Sequence, residues 1–265
     1  SSYSLPGVRD AEGYTFMGWS TKPMQSVSPQ YEAEEKITVN GNVDLYAVVF
    51  NRTTETDLTE DQLPQVDIYK YKQVIFVGDS RTEFMENVLT GMGESATKNV
   101  KFVCSAGKGL DWFTTTGWAQ LYSIVQHDSN SILSKKTAVI FNFGVNDLSK
   151  SADYAEYYNW IAPQLKSKGC ELYFMSVNPV NRLMLSNAGR ADRSEAAVRS
   201  FNQYMKANLS SAYTYIDMYS YLKSTGYSFA SDHYGTGTVD DGLHYTTRTY
   251  KRIFAKCMDS LRVPA

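Results

Sequence analysis

Val74-Ile75-Phe76-Val77-Gly78-Asp79-Ser80 is the stretch that decides the fold. Four consecutive apolar residues, three of them β-branched, make a strand buried on both faces rather than one with a wet side. Gly78-Asp79 ends it, and Phe84, Met85, Val88 and Leu89 follow at helical spacing. The same alternation continues down the chain. Short apolar runs stand at Val74–Val77, Val100–Cys104, Ala138–Phe143, Leu172–Val177 and Tyr213–Met218, each followed by a longer amphipathic stretch. Val198, Phe201 and Met205 fall at i, i+3, i+7, and Tyr250, Phe254 and Cys257 at i, i+4, i+7, as helix core faces require. Continuous apolar strands separated by helices predict an α/β fold with a parallel sheet covered on both faces. Chemistry in such sheets gathers at the carboxyl ends of the strands. Ser80, Gly109, Asn146 and Asn178 each come just after one.

The 265 residues suffice for one large domain, or a medium domain with a small companion. Charge is balanced, 26 Lys and Arg against 28 Asp and Glu, without a basic cluster, so no nucleic-acid partner is expected. No apolar run approaches the roughly 18 residues of a membrane span, and no signal-peptide pattern opens the chain. Ser1-Ser2-Tyr3-Ser4-Leu5-Pro6 reads as a cut end rather than a natural start, which leaves an export signal and further repeats open upstream. Cys104, Cys170 and Cys257 are odd in number and far apart, which suits small buried thiols and not a disulfide framework or zinc knuckle. The histidines are His127, His233 and His244, with no H-E-x-x-H spacing, so no metal and no cofactor are expected.

Residues 1–50 have another texture. Tyr14–Trp19 and Val43–Phe50 are β-rich runs, the second preceded by the turn signal Asn40-Gly41-Asn42, and predict a small β-rich, β-grasp-like module. Gly13–Ser20 and Ile37–Ala47 resemble the internalin-type B-repeat of bacterial surface proteins, over about residues 1–50. This stretch departs from the family pattern in lacking its first strand and in placing the last aromatic at Phe50. It is the resemblance, not the β runs, that implies an extracellular or bacterial cell-surface setting and cell-wall association through this module. Residues 51–70, polar and acidic with Pro64, read as a linker carrying one helical turn at Glu60-Asp61-Gln62-Leu63, before an α/β domain over 71–265.

Four short blocks carry the chemistry. Ser80, at a strand end and a helix start, either caps that helix or, given a base to take its proton, acts as a nucleophile. The helix start favours developing negative charge. Asp241-Gly242-Leu243-His244 supplies an imidazole and, three residues away, a carboxylate to hold its tautomer. Asp240 and Asp232 are alternative orienting acids, and a plain surface loop or a structural role for His244 is the ordinary alternative. In Gly144-Val145-Asn146-Asp147 the Asn146 amide can donate to a tetrahedral oxyanion, or belong to a common Asn-Asp turn. Gly107-Lys108-Gly109 offers a backbone N–H after the second strand but lacks the third glycine of a dinucleotide fingerprint. Thr82 stands where the G-x-S-x-G elbow needs its second glycine, which excludes the usual α/β-hydrolase motif.

Gly-Asp-Ser, a glycine after the second strand, Gly-x-Asn-Asp and Asp-x-x-His occur in the order of the four blocks of the SGNH (GDSL-like) hydrolases. The resemblance runs over about residues 72–262. It implies a three-layer α/β/α, flavodoxin-like fold with a five-stranded parallel sheet. It makes Ser80 the nucleophile, His244 the base and Asp241 its orienter. It assigns the oxyanion hole to Ser80, Gly109 and Asn146, with Gly107 the second choice of glycine. Arg81 replaces the apolar residue that gives the motif its name, and Cys104-Ser105 replaces the common asparagine near the second block, so substrate choice stays open. Arg81 either meets an acidic substrate group or pairs with a carboxylate. Trp112, Phe113, Trp118 and Asn178-Pro179-Val180 are candidate pocket walls, with helix packing the alternative for the aromatics. The expected activity is a metal-independent serine esterase working through an acyl-enzyme on an O-acetyl or short-chain ester of a carbohydrate or cell-wall glycan. The rivals are acyl transfer to a sugar hydroxyl and a surface adhesion or glycan-binding protein with a weakly active hydrolase domain.

Overall fold

The computed structural model describes residues 1–126, 135–185, 193–230 and 241–261. Contacts group the chain into two units: Ser1–Asp57, Asn178–Ser200 and Met218–Thr249 form one, and Leu58–Val177, Phe201–Asp217 and Tyr250–Ala265 the other.

In the first unit, β1 (Ser2–Ser4) pairs antiparallel with β3 (Lys36–Thr38), and β2 (Tyr14–Ser20) with β4 (Tyr46–Asn51). β1 is a strand that the sequence reading did not place. The β2–β4 register slips between Phe16 and Gly18. Gly18 has φ +143°, and a Cβ there would collide with Pro29 and the Tyr31 carbonyl, so glycine lets a neighbouring segment close on the bulge. Phe16, Met17, Val48 and Phe50 are buried. The second run pairs only from Tyr46, leaving Val43 outside the strand. A 3₁₀ turn over Glu60–Gln62, at the start of the second unit, lies where the helical turn was expected.

The second unit is built on β5 (Tyr71–Gly78), β6 (Val100–Cys104), β7 (Lys136–Asn142), β8 (Cys170–Met175) and β9 (Tyr213–Ile216). They form one parallel sheet in the order β6-β5-β7-β8-β9. The five predicted apolar runs are these five strands, differing only at their ends. Helices α1 (Ser80–Met92), α2 (Leu110–Trp112), α3 (Trp118–Val125), α4 (Ser151–Lys166), α5 (Glu195–Asn208), α6 (Met218–Thr225) and α7 (Thr247–Asp259) complete the described elements used below.

Register explains why the strands are apolar throughout. Phe76 stands beside Ile140, so Phe76 and Phe141 point to opposite faces of the sheet. Phe76 meets Phe254 of α7 at 5.8 Å between ring centroids, and Phe141 meets Tyr158 of α4 at 4.8 Å. One helix therefore covers each face, and the sheet is the middle of three layers. Val198, Phe201, Met205, Tyr250, Phe254 and Cys257, the predicted core faces of α5 and α7, are all buried. This is the expected α/β/α fold with a β-rich N-terminal part. Among the described residues no helix is long and apolar enough to cross a membrane.

Candidate active site

The last residue of β5, Gly78, is glycine because nothing larger fits there. A Cβ would run into the Thr82 side chain and, at 2.8 Å, the Asn142 carbonyl. Thr82, the residue that breaks the elbow pattern, is what packs over this glycine. The helix that follows is capped by Asp79, whose Oδ1 accepts from Arg81 N at 3.0 Å. Ser80 is therefore not the cap. It is the first helical residue, 3% exposed, at the positive end of the α1 dipole. Gly78 pairs with Cys104 on one side and with Asn142 on the other. The ends of β6, β5 and β7 are thus level, and the segments bearing Gly107 and Gly109, Ser80, and Asn146 leave the sheet at one edge.

The second and third blocks meet in a cleft of about 500 Å³ lined by Gly107, Lys108, Gly109, Trp112, Asn146 and Asp147, together with Thr115 and the Lys150–Asp111 ion pair at 3.2 Å. Ser80 and Arg81 do not line it. Asn146 Nδ2 donates to the Lys108 carbonyl at 2.7 Å, fixing the plane of its amide. Asp147 ties the same loops together: Oδ2 accepts from Leu110 N at 2.8 Å and Oδ1 from the Tyr154 hydroxyl at 2.7 Å. Burial raises the Asp147 carboxyl from its ordinary value, against the lowering effect of those two donors. Burial also raises the Tyr154 phenol, which stays protonated and keeps donating.

Asp147 is the residue that the sequence reading passed over as a turn partner of Asn146. The available signal was the orphan N–H of Leu110 at a helix start, which needs an acceptor. Both glycines of the second block are required, for different reasons. Gly107 has φ +72°, whereas a Cβ on Gly109 would strike the Asp147 carboxylate.

The aromatic candidates separate. Trp112 walls the cleft and leans on Phe143 at 6.1 Å, with Gly117 leaving room for its ring. Phe113 is wholly buried against Phe141 and Phe143, a core residue. Trp118 packs on Tyr122 at 5.5 Å. Arg81 and Asn178 are buried, at 4% and 2% exposure.

Asp241 and His244 lie in the first unit. Asp241 Oδ1 accepts from Leu243 N at 2.8 Å and from His244 N at 2.7 Å, closing an Asx-type turn. Its Oδ2 is 2.6 Å from His244 Nδ1. One carboxylate thus shapes the turn and holds the ring within it. Gly242, with φ +65°, is needed because a Cβ would meet the Asn181 carbonyl at 2.5 Å and Met184 Cβ at 2.6 Å. His244 is 2% exposed and Asp241 7%, so this is no surface loop. A ring that donates from Nδ1 presents Nε2 as its basic nitrogen. Asp232, Asp240, His127 and His233 lie outside the described residues. Among those described, no group of three His, Cys, Asp or Glu is placed to hold a metal ion.

The profile of the GDSL-like lipase/acylhydrolase family matches residues 74–257, a span from β5 to α7 that contains all four blocks. The chain belongs to this family. The Listeria-Bacteroides repeat domain matches residues 1–48, the module that resembled a B-repeat. Comparison with curated proteins gives no match. Among solved structures, an acetyl xylan esterase is 12% identical over 72% of this chain and 100% of its own, with a TM-score of 0.46. A protein of Slackia heliotrinireducens described as an SGNH hydrolase is 12% identical over 72% and 99%, with a TM-score of 0.47. The C-terminal catalytic domain of Streptococcus pneumoniae peptidoglycan O-acetyltransferase A is 16% identical over 72% and 92%, with a TM-score of 0.40. Identities this low say nothing of substrate.

Proposed function

We propose that this GDSL-like acylhydrolase is a serine esterase. Ser80 Oγ attacks the ester carbonyl carbon while His244 Nε2 takes its proton, and Asp241 stabilises the imidazolium that forms. The oxyanion accepts from Ser80 N, Gly109 N and the Asn146 side-chain amide. Collapse breaks the ester C–O bond, and His244 returns the proton to the departing alcohol. Water, deprotonated by His244, then cleaves the acyl-enzyme, releasing the acid and restoring Ser80.

The observation that carries this reading is the buried Asp241–His244 pair at 2.6 Å. A histidine fixed through Nδ1 inside a turn made by the same carboxylate is arranged for proton transfer, and it occurs in the block where the family resemblance assigns the base. The polar cleft walled by Trp112, Lys108, Asp111 and Lys150 favours a carbohydrate-like alcohol, since an aromatic face with hydrogen-bonding neighbours suits a sugar ring. The repeat match over 1–48 supports an extracellular or cell-surface setting, with an O-acetylated or short-chain acylated glycan as the substrate class.

A fluorophosphonate probe and a short-chain aryl ester test the assignment together. Wild type is expected to be labelled and to turn over the ester, and Ser80→Ala to do neither. Equal turnover by both proteins sinks the reading. Acetate release from acetylated polysaccharides without any acceptor distinguishes hydrolysis from transfer, and comparison with long-chain aryl esters sets the acyl length.

A further inference from the structure

The segment bearing Asp241 and His244 pairs antiparallel with residues 228–230. Ala230 N donates to the His244 carbonyl at 2.8 Å, Asp241 N to the Ala230 carbonyl at 3.1 Å, and Thr246 N to the Ser228 carbonyl at 2.9 Å. A two-chain ribbon this short is not stable alone. Within the same unit its support comes from the N-terminal module and the start of the linker that follows it. Thr15 Oγ1 donates to the Tyr227 carbonyl at 2.6 Å. Arg52, anchored to Asp10 at 2.7 Å, donates to Thr15 Oγ1 at 2.9 Å and to the Phe229 carbonyl at 3.4 Å.

Glu55 closes the arrangement. Its carboxylate is buried, with Oε1 accepting from Ser228 Oγ at 2.7 Å and Oε2 from Thr249 Oγ1 at 2.6 Å. Thr249 Oγ1 in turn accepts from Ser228 N at 2.9 Å. Ser228 is on one chain of the ribbon and Thr249 lies just beyond the other, so one carboxylate clasps both. A second strut reaches the turn itself. Asn181 N donates to the Gly242 carbonyl at 2.9 Å, while Asn181 Nδ2 donates to the Val8 carbonyl at 2.9 Å. A carboxylate is not buried without partners, since its desolvation is costly.

We propose that the repeat-like module, together with the start of the linker that follows it, is the built-in support of the Asp241–His244 segment, and that Glu55 of that linker is a positioning residue for His244, acting through Ser228 and Thr249. This rests on His244 being the general base. The module then serves catalysis directly, in addition to any surface attachment.

The test uses the full chain. Glu55→Ala is expected to lower kcat about 10- to 100-fold with KM within about twofold, the scale on which displacement of a catalytic group approaching 1 Å acts. Glu55→Gln, which keeps the shape and can still engage both hydroxyls, restores most of that rate. The downfield Nδ1 proton resonance of His244 is expected to weaken in Glu55→Ala and to return in Glu55→Gln. If Glu55→Ala does not fold, Ser228→Ala removes one clasped hydroxyl with the module in place and gives a smaller loss of the same kind. Wild-type kcat in Ser228→Ala and in folded Glu55→Ala overturns the proposal. So does a loss that Glu55→Gln fails to restore while the resonance is unchanged. His244→Ala separates the two levels. If it is inactive and the Glu55 variants are normal, only the support role falls, whereas an active His244→Ala removes the base assignment underneath it.

Discussion

Ser80, Gly109 and Asn146 leave the ends of three neighbouring strands, whereas Asp241 and His244 sit in a ribbon marked, among the described residues, by the bridge Phe229–Tyr245. The first group is placed by register and by an apolar core: Ala138 to Phe141 are fully buried, and Gly78 and Gly109 allow close approach. The second group is placed by polar groups out of water, among them Asp241, Glu55, Asp10 and Asn181. A core spreads its load over many weak contacts. A buried polar clasp concentrates it, because removing one partner leaves the other desolvated and unmatched. Single substitutions should therefore be costlier around the ribbon than at the strand ends.

The largest expected effect is at the centre of the ribbon. Asp241→Asn can still accept from Leu243 N and His244 N through its amide oxygen, so the turn persists, but its amide nitrogen faces His244 Nδ1 and favours the wrong tautomer. A fall in kcat on the order of 10⁴-fold is expected on an aryl ester, with unchanged thermal unfolding. A loss smaller than that of Asn146→Ala would break the comparison.

Next comes stability in the same unit. Lys223 Nζ donates to Glu195 Oε1 and to the Met17 carbonyl, each at 3.0 Å, with Glu32 Oε1 at 3.6 Å and Tyr219 bound to Glu32. Burial pushes Glu195 up to about 7, while Lys223, desolvated but facing Glu195, Tyr219 and Glu32, is held above its ordinary value and stays charged. Lys223→Met leaves Glu195 without its hydrogen-bonded cation, while Glu32 keeps Arg199 at 3.2 Å, and should cost about 3–5 kcal/mol in urea unfolding at neutral pH. The sign with pH follows from Glu195. A folded value above the unfolded one means that stability is fully present below the ordinary glutamate range and is lost as pH rises through about 7. The penalty of Lys223→Met should therefore shrink toward pH 5, where a protonated Glu195 needs no cation.

At the strand ends, Asn146→Ala should lower kcat about 100- to 1000-fold with little change in KM, as loss of one oxyanion donor does. Its stability should be near wild type, since the amide is partly exposed and its bond to Lys108 joins two loops already tied by Asp147.

Why the two regions differed in legibility follows from the same contrast. Apolar strands and helix faces repeat locally, so β5 to β9, α5 and α7 could be read from spacing, while short motifs marked Ser80, Asn146 and the Asp-x-x-His pair as candidates. The clasp has no local pattern. Glu55 lies 173 residues from Ser228 and 194 from Thr249, in a polar acidic stretch where nothing distinguishes it from Asp57 or Glu60. β1 is three residues of Ser and Tyr that become a strand only by pairing with β3. Trp112 and Phe113 are neighbours in sequence, and only packing sends one to the cleft and the other to the core.

Asp147 is where the two modes of construction overlap, a half-buried polar group inside the strand-end region. Its carboxylate clamps Leu110 N–H and the Tyr154 hydroxyl, yet the sheet beneath already levels the loops it joins. Asp147→Asn keeps one good acceptor and turns an amide toward the other donor, so a loss of about tenfold in kcat is expected, roughly 1.4 kcal/mol. Because the folded-state carboxyl is raised above its unfolded value by burial, its stabilising contribution is present below the ordinary aspartate range and is lost as pH rises through the folded value. Asn does not titrate. Denaturant unfolding should thus show wild type at its greatest advantage over Asp147→Asn at acid pH, with the gap closing toward neutrality. A gap that widens with pH would mean that Leu110 and Tyr154 hold the carboxylate more strongly than burial opposes it, and that strand-end loops depend on a polar clasp as heavily as the ribbon does.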